Sequence, residues 1–271
     1  MKKQNRRKFI LYSLGILGSG VLTAWFFRRQ LVRKFLFTFP DNLSVTVSSA
    51  PSENEVCVLT AKQIEGPFYF PSPERSNIVE DRKGALLKLK MQVINYPDCT
   101  PIRNAIVDVW QADAEGNYSG YPEQISQDEW KTFMLFGKHG EKRENGEYTV
   151  KPITDSRYLR GIQRTDENGW VTFNTIIPCW YIGRVPHIHF KVFLNDKEQI
   201  ISQLFFDKDF CDNLFTTVEP YNKMGKCPID FKNDGTLAMV NGEQSGLLLS
   251  VQNDGNSNYI STCRIGIKSS Q

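Results

Sequence analysis

The sequence predicts an all-β fold, a single β-sandwich domain with long loops preceded by an N-terminal signal or anchor helix. Three observations predict it. Short strand-like runs recur from residue 86 onward, glycine-bearing turn dipeptides separate several of them, and no long amphipathic helix interrupts them. With 271 residues, 40% hydrophobic and 12% aromatic, the chain is long enough for one large core.

The first element is the leader, residues 1–34. Residues 9–27 carry no charge, and as a helix rising ~1.5 Å per residue they span most of a ~30 Å hydrocarbon core. Basic clusters flank the run, and Asn5-Arg6-Arg7-Lys8-Phe9-Ile10-Leu11 resembles a twin-arginine export signal. Gly18-Ser19-Gly20, the best small-residue cleavage site, lies inside the apolar run, so residues 9–27 are a candidate membrane anchor. The expectation is an exported protein on the periplasmic or extracellular side. Residues 35–55, polar and rich in Ser, Asn and Pro from Pro40 onward, read as a linker. Residues 56–271 read as the one folded domain.

Within that domain residues 86–94 (LLKLKMQVI) alternate as a half-buried strand does. Strand-like runs follow at 105–111, 170–177, 187–194, 200–206, 246–251 and 260–267, with turns at Asn168-Gly169, Asp234-Gly235 and Asp254-Gly255. The best helical stretch is short, 127–136. All six cysteines lie after the leader and none forms a CxxC pair, which suits an oxidising compartment. The first expected disulfide is Cys211 with Cys227, which bracket a polar loop, and the second is Cys57 with Cys99. Cys179 and Cys263 fit free buried thiols equally well.

Charge narrows the function classes. The leader holds nine Lys/Arg and no acid, which leaves 24 basic against 30 acidic residues in the rest of the chain. A surface built to neutralise phosphates stays basic, so nucleic acid is not an expected partner.

The chemistry concentrates in His187-Ile188-His189, two of the three histidines in the chain. In a strand the period of two points both to one face with Cα atoms ~6.6 Å apart, close enough for two imidazoles to meet one metal ion. Zinc, copper and non-haem iron all accept imidazole. The remaining donors nearby are tyrosines, Tyr181 six residues upstream and Tyr118 at the end of another strand. A phenol titrates near ~10, so holding two of them deprotonated at neutral pH takes a strong Lewis acid such as Fe(III). His139 reads as a solvated loop histidine, and Trp110 and Trp180 as core or pocket wall.

At these residues the chain resembles the intradiol ring-cleavage dioxygenases, which include protocatechuate and catechol dioxygenases, and most of all their compact exported members. The resemblance is carried by LTAKQIEGPFYF (59–70), AIVDVWQADAEGNYSGY (105–121), RGIQRTDENGWVTFNTIIPCWYIGRVPHIHFKV (160–192) and SQLFF (202–206). It implies Fe(III) held by Tyr118, Tyr181, His187 and His189, with Tyr118 and His187 equatorial and Tyr181 the ligand displaced by a catechol dianion. It also implies that Arg184 stabilises charge on the activated ring and that Gln203 lines the same pocket. The implied reaction opens a small catechol-type substrate with O2 between its two hydroxylated carbons, giving a cis,cis-muconate-type product. The alternative is a membrane-tethered binding module that keeps the metal site without turnover. It predicts loss of one of these residues, and none is lost.

Two departures stand out. Cys179 takes the place of a glycine in the Pro-Gly-Trp-Tyr of the compact members, and the long helical N-terminal region that catechol dioxygenases use to dimerise is missing, which leaves the oligomeric state open. The loops that set specificity do not reveal the substrate. Lys138, Arg143 and Arg157 are candidate partners for a substrate carboxylate, and Tyr148 and Tyr158 are further tyrosines without an assigned place.

Overall fold

The computed structural model describes residues 45–268 apart from 53–56, 122–127, 145, 238–241 and 256–257. The leader lies outside the described residues, and among those described no helix is long and apolar enough to cross a membrane. The elements are β1 Val45–Ser49, β2 Leu86–Asn95, β3 Ile106–Gln111, α1 Glu129–His139, β4 Gly140–Lys142, β5 Tyr148–Val150, β6 Arg160–Arg164, β7 Trp170–Ile176, β8 His187–Leu194, β9 Lys197–Phe206, α2 Lys208–Thr217, β10 Gly242–Leu249, β11 Val251–Asn253 and β12 Tyr259–Ile267. Two sheets form a mostly β sandwich, one of order β1-β10-β9-β8-β3-β6 and one of order β11-β12-β2-β7, and β4-β5 is a separate hairpin.

The two sheets share one core. Leu87, Leu89, Met91 and Val93 of β2, Val171 and Phe173 of β7, and Ile265 and Ile267 of β12 meet Val107 and Val109 of β3, Ile188, Phe190 and Val192 of β8, and Leu204 and Phe206 of β9. Each set takes alternate positions, as a pleated strand requires.

The intervening residues of the larger sheet face outward: Asp108 and Trp110 of β3, His187, His189 and Lys191 of β8, and Gln203 and Phe205 of β9. They are nonetheless buried, because the segment 57–72 runs over them as a roof. Ser202 Oγ donates to Ala61 O (2.6 Å), Gln63 N to Ile201 O (2.9 Å), Gln203 Nε2 to Ile64 O (3.0 Å) and Tyr69 Oη to Asp108 (3.0 Å). Lys191 is buried there with partners, ion-paired to Glu65 and to Glu198 at 2.9 Å, as a charge removed from water must be. Phe68, Phe70, Trp110, Tyr118 and Tyr121 form a second apolar cluster under the roof, closed by Leu135 of α1.

Several sequence expectations need correction. Val45–Ser49, inside the stretch read as linker, is a strand, because it finds a parallel partner in β10 from Val45↔Gly242 to Ser49↔Leu248. β6 escaped the pattern because RGIQR has a glycine and two arginines where alternation would show apolar residues. Helix α1 runs three residues past the predicted 127–136, through His139, so His139 closes a helix instead of lying in a loop. Helix α2 stands in a stretch read as loop; Asp207 caps it by accepting from Phe210 N at 2.9 Å. The disulfide is Cys57–Cys99, and Cys211 and Cys227 are free and buried, as are Cys179 and Cys263. Residues 57–60 run beside β12, the parallel neighbour of β2, which brings Cys57 to the turn after β2. Cys211 instead packs into the main core and Cys227 into a separate cluster with Val185 and Phe205.

Two stability measurements follow. Phe173 is fully buried at the centre of the main core, so Phe173→Ala should lower the unfolding free energy by about 3–5 kcal/mol in urea titration. Burial pushes the Asp108 carboxyl up to about 6, against the hydrogen bonds of Ser72 and Tyr69. A carboxyl raised in the folded state contributes stability that is complete below its ordinary value near 4 and is lost as pH rises through about 6. Unfolding measured from pH 4 to 7 should therefore lose up to about 3 kcal/mol through this group, and Asp108→Asn should flatten that slope.

Candidate metal centre and active site

β8 delivers His187 and His189 to the outer face of the larger sheet. After β3 the chain turns at residues 113–117, tied by Asp113: its Oδ1 accepts from Glu115 N and Asn117 N, both at 2.9 Å, and its N donates to Asn117 O at 2.8 Å. This turn presents Tyr118. The second tyrosine sits in a turn closed by Arg184 N donating to Tyr181 O at 2.9 Å, with Gly183 at φ 78°. Cys179 N donates to Asp113 O at 3.0 Å, so one residue ties both tyrosine loops together. The Cys179 thiol itself is free and buried.

Four donor atoms converge as a result. His187 Nε2 lies 3.0 Å from His189 Nε2, 3.3 Å from Tyr118 Oη and 3.5 Å from Tyr181 Oη, and all four side chains are buried. The opposite nitrogen of His187, Nδ1, lies 2.6 Å from Val185 O. A carbonyl only accepts, so Nδ1 carries the proton and Nε2 turns a lone pair toward the centre. The indole of Trp110 stacks on His189, centroids 4.7 Å apart and planes 8° from parallel. Gly66 of the roof, at φ 76°, lies over His189, where a Cβ would stand in ordinary contact, 3.5 Å from His189 Cε1.

A family model described as Dioxygenase matches residues 64–222. Among solved structures, an intradiol ring-cleavage dioxygenase from Tetranychus urticae is 30% identical, with 79% of this chain and 97% of that one covered and a TM-score of 0.65. A second crystal structure of a dioxygenase is also 30% identical, covering 79% and 96%, with a TM-score of 0.64. The chain belongs to the intradiol ring-cleavage dioxygenases. It is thereby an oxidoreductase of a family that opens catechol-type rings and depends on non-haem iron.

The donor set of this dioxygenase fits such an ion. Burial, reinforced by Arg184, holds both histidines well below their usual range, so each imidazole is neutral and has a lone pair to give. Burial also raises the phenols of Tyr118 and Tyr181; a bound cation inverts that preference by favouring the phenolates. As a hydrogen-bond network the cluster is poor, because the single lone pair of His187 Nε2 faces three other heteroatoms. His189 Nδ1 is buried without a partner. Among the described residues no cluster of three or more His, Cys, Asp or Glu offers another metal site.

Arg184 is fixed on three sides. Nε donates to both oxygens of Asp234 at 3.0 Å, Nη1 to Tyr181 Oη at 3.3 Å, and Nη2 to Gln203 Oε1. Burial works against its charge, but Asp234 and the two phenols more than offset that and hold it above the usual arginine value. The structure thus brings together all six residues singled out from the sequence: Tyr118, Tyr181, Arg184, His187, His189 and Gln203. It does not do so for the candidate carboxylate partners: Arg143 is ion-paired to Glu65, Arg157 lies over the Phe70 ring at 4.6 Å, and Lys138 is exposed. Tyr148 is exposed and Tyr158 lies under the Arg82 guanidinium, while Trp180 donates to Gly225 O.

Asp234 was missed. In sequence it is half of an Asp-Gly turn, and only the fold shows its carboxylate fully buried, accepting also from the backbone N–H of Val185, Thr236 and Leu237. Removing one partner of a buried charge pair costs about 3–5 kcal/mol. Asp234→Asn should destabilise this dioxygenase by that order in denaturant titration, while the four donor residues keep their own contacts.

Proposed function

We propose that this protein is an Fe(III) intradiol dioxygenase that uses O2 to cleave a catechol-type ring between its two hydroxylated carbons, giving a cis,cis-muconate-type diacid. The observation that carries the reading is the convergence of two imidazole nitrogens and two phenol oxygens within 3.5 Å of one another's hub, His187 Nε2. Tyr118, Tyr181, His187 and His189 would hold the ferric ion, which supplies Lewis acidity for chelating a catechol as its dianion. The remaining work falls to the chain. Tyr181, beside Arg184, would as a phenolate supply the base for one of the two catechol protons. Arg184, locked by Asp234 and Gln203, offers a fixed positive charge to the electron-rich ring. The roof and the aromatic cluster keep water from the reacting carbons.

The leader is read as a twin-arginine-like signal that exports the domain and anchors it to the membrane. The Cys57–Cys99 disulfide supports an oxidising destination.

The test is the visible spectrum of the purified full-length chain loaded with ferric iron, before and after anaerobic catechol. A tyrosinate charge-transfer band that shifts on addition is expected, and a colourless loaded protein would overturn the reading. Tyr181→Phe should weaken the band and lower turnover by more than about 100-fold, since even residues that only support a metal ligand cost 10–100-fold when removed. A site built on the histidines alone would barely register the change.

A further inference from the structure

One transverse row crosses the outer face of the larger sheet. The cross-strand pairs Trp110↔Arg160, Trp110↔His189 and His189↔Gln203 place Arg160, Trp110, His189 and Gln203 side by side on β6, β3, β8 and β9. At one end, Gln203 holds Arg184 and through it the Tyr181 loop. At the other end stands Arg160, a residue with no part so far.

Arg160 is fully buried. Its Nε donates to Ser119 Oγ at 2.8 Å, and its Nη2 to Ser119 O at 3.1 Å and Phe68 O at 2.9 Å. The guanidinium lies over the Phe70 ring, its Cζ 3.7 Å from the centroid, and Nη1 is buried without a partner. Among the described residues no carboxylate is hydrogen-bonded to it, and burial lowers its pKa to about 10. Asp108 favours the charge only from a distance, and a buried charge with no carboxylate bonded to it is costly, a cost that an apolar side chain filling the aromatic cluster would avoid. What an apolar side chain cannot do is grip both the residue next to Tyr118 and the roof. Gly120 completes the grip, since at φ 88° it lets the loop close on Phe70, where a Cβ would come within 2.6 Å of the ring.

We propose that Arg160 is the positioning residue for Tyr118, the counterpart of Gln203 at the far end of the row, fastening the Tyr118 loop to the roof through Ser119 and Phe68. The inference rests on Tyr118 being a ferric ligand. A planar fork is needed for this, because the donors must reach Ser119 and Phe68 at once, and a lysine offers one point of contact.

The experiment compares full-length wild-type protein with Arg160→Lys and Ser119→Ala. Each is titrated with ferric ion against a competing chelator, with the charge-transfer band and near-ultraviolet circular dichroism recorded. Ser119→Ala should stay folded and lose about tenfold in ferric affinity, and Arg160→Lys about 10–100-fold, both with a displaced band. A role in packing alone would change the unfolding midpoint and leave the band where it is. Wild-type affinity and an unshifted band in both variants would overturn the inference; if Arg160→Lys does not fold, Ser119→Ala decides it alone. A wild-type chain that takes up no ferric ion would overturn the metal reading itself, and this inference with it.

Discussion

β8 is buried on both faces, and the rest of the molecule is arranged around that constraint. Ile188, Phe190 and Val192 enter the sandwich core, so the period of two turns His187, His189 and Lys191 to the other side. An outer sheet face normally meets water. Here it meets the roof, the aromatic cluster and the two tyrosine loops, and the polar groups it carries must find partners in a dry layer. Lys191 finds Glu65 and Glu198, and Asp108 finds Ser72 and Tyr69. The four donor atoms that meet at His187 Nε2 hold more lone pairs than protons among them, which suits that point to a cation.

Much of this was legible in the sequence, and the reason is local periodicity. The seven predicted strand runs all appear as strands, because each alternates or is apolar enough for its period to show. The histidines declared their shared face by their spacing. The two tyrosines became readable through the motifs around them, since neither distance along the chain nor composition places Tyr118 beside Tyr181.

What was not legible depends on long-range contact. β1 has the composition of a linker and becomes a strand only because β10 offers it an edge. Asp234 is fifty residues from Arg184, inside a dipeptide whose turn chemistry fully accounts for it locally. The cysteine pairing went the same way. Bracketing a loop made Cys211 and Cys227 look like partners, whereas pairing is decided by which strands lie side by side, and β2 and β12 do so over nine residues.

The position of that disulfide has a mechanical consequence. Cys57 is the first described residue of the roof after 53–56, and its bond fastens it to the turn that follows β2, in the sheet opposite the metal face. Any pull along the chain from the N-terminal side is therefore borne by β1 against β10 and by the covalent link. It does not reach Gly66, nine residues further on, where the backbone lies against His189. The fold works as a strain relief, of the kind that lets a cable be tugged without disturbing the contacts inside the plug.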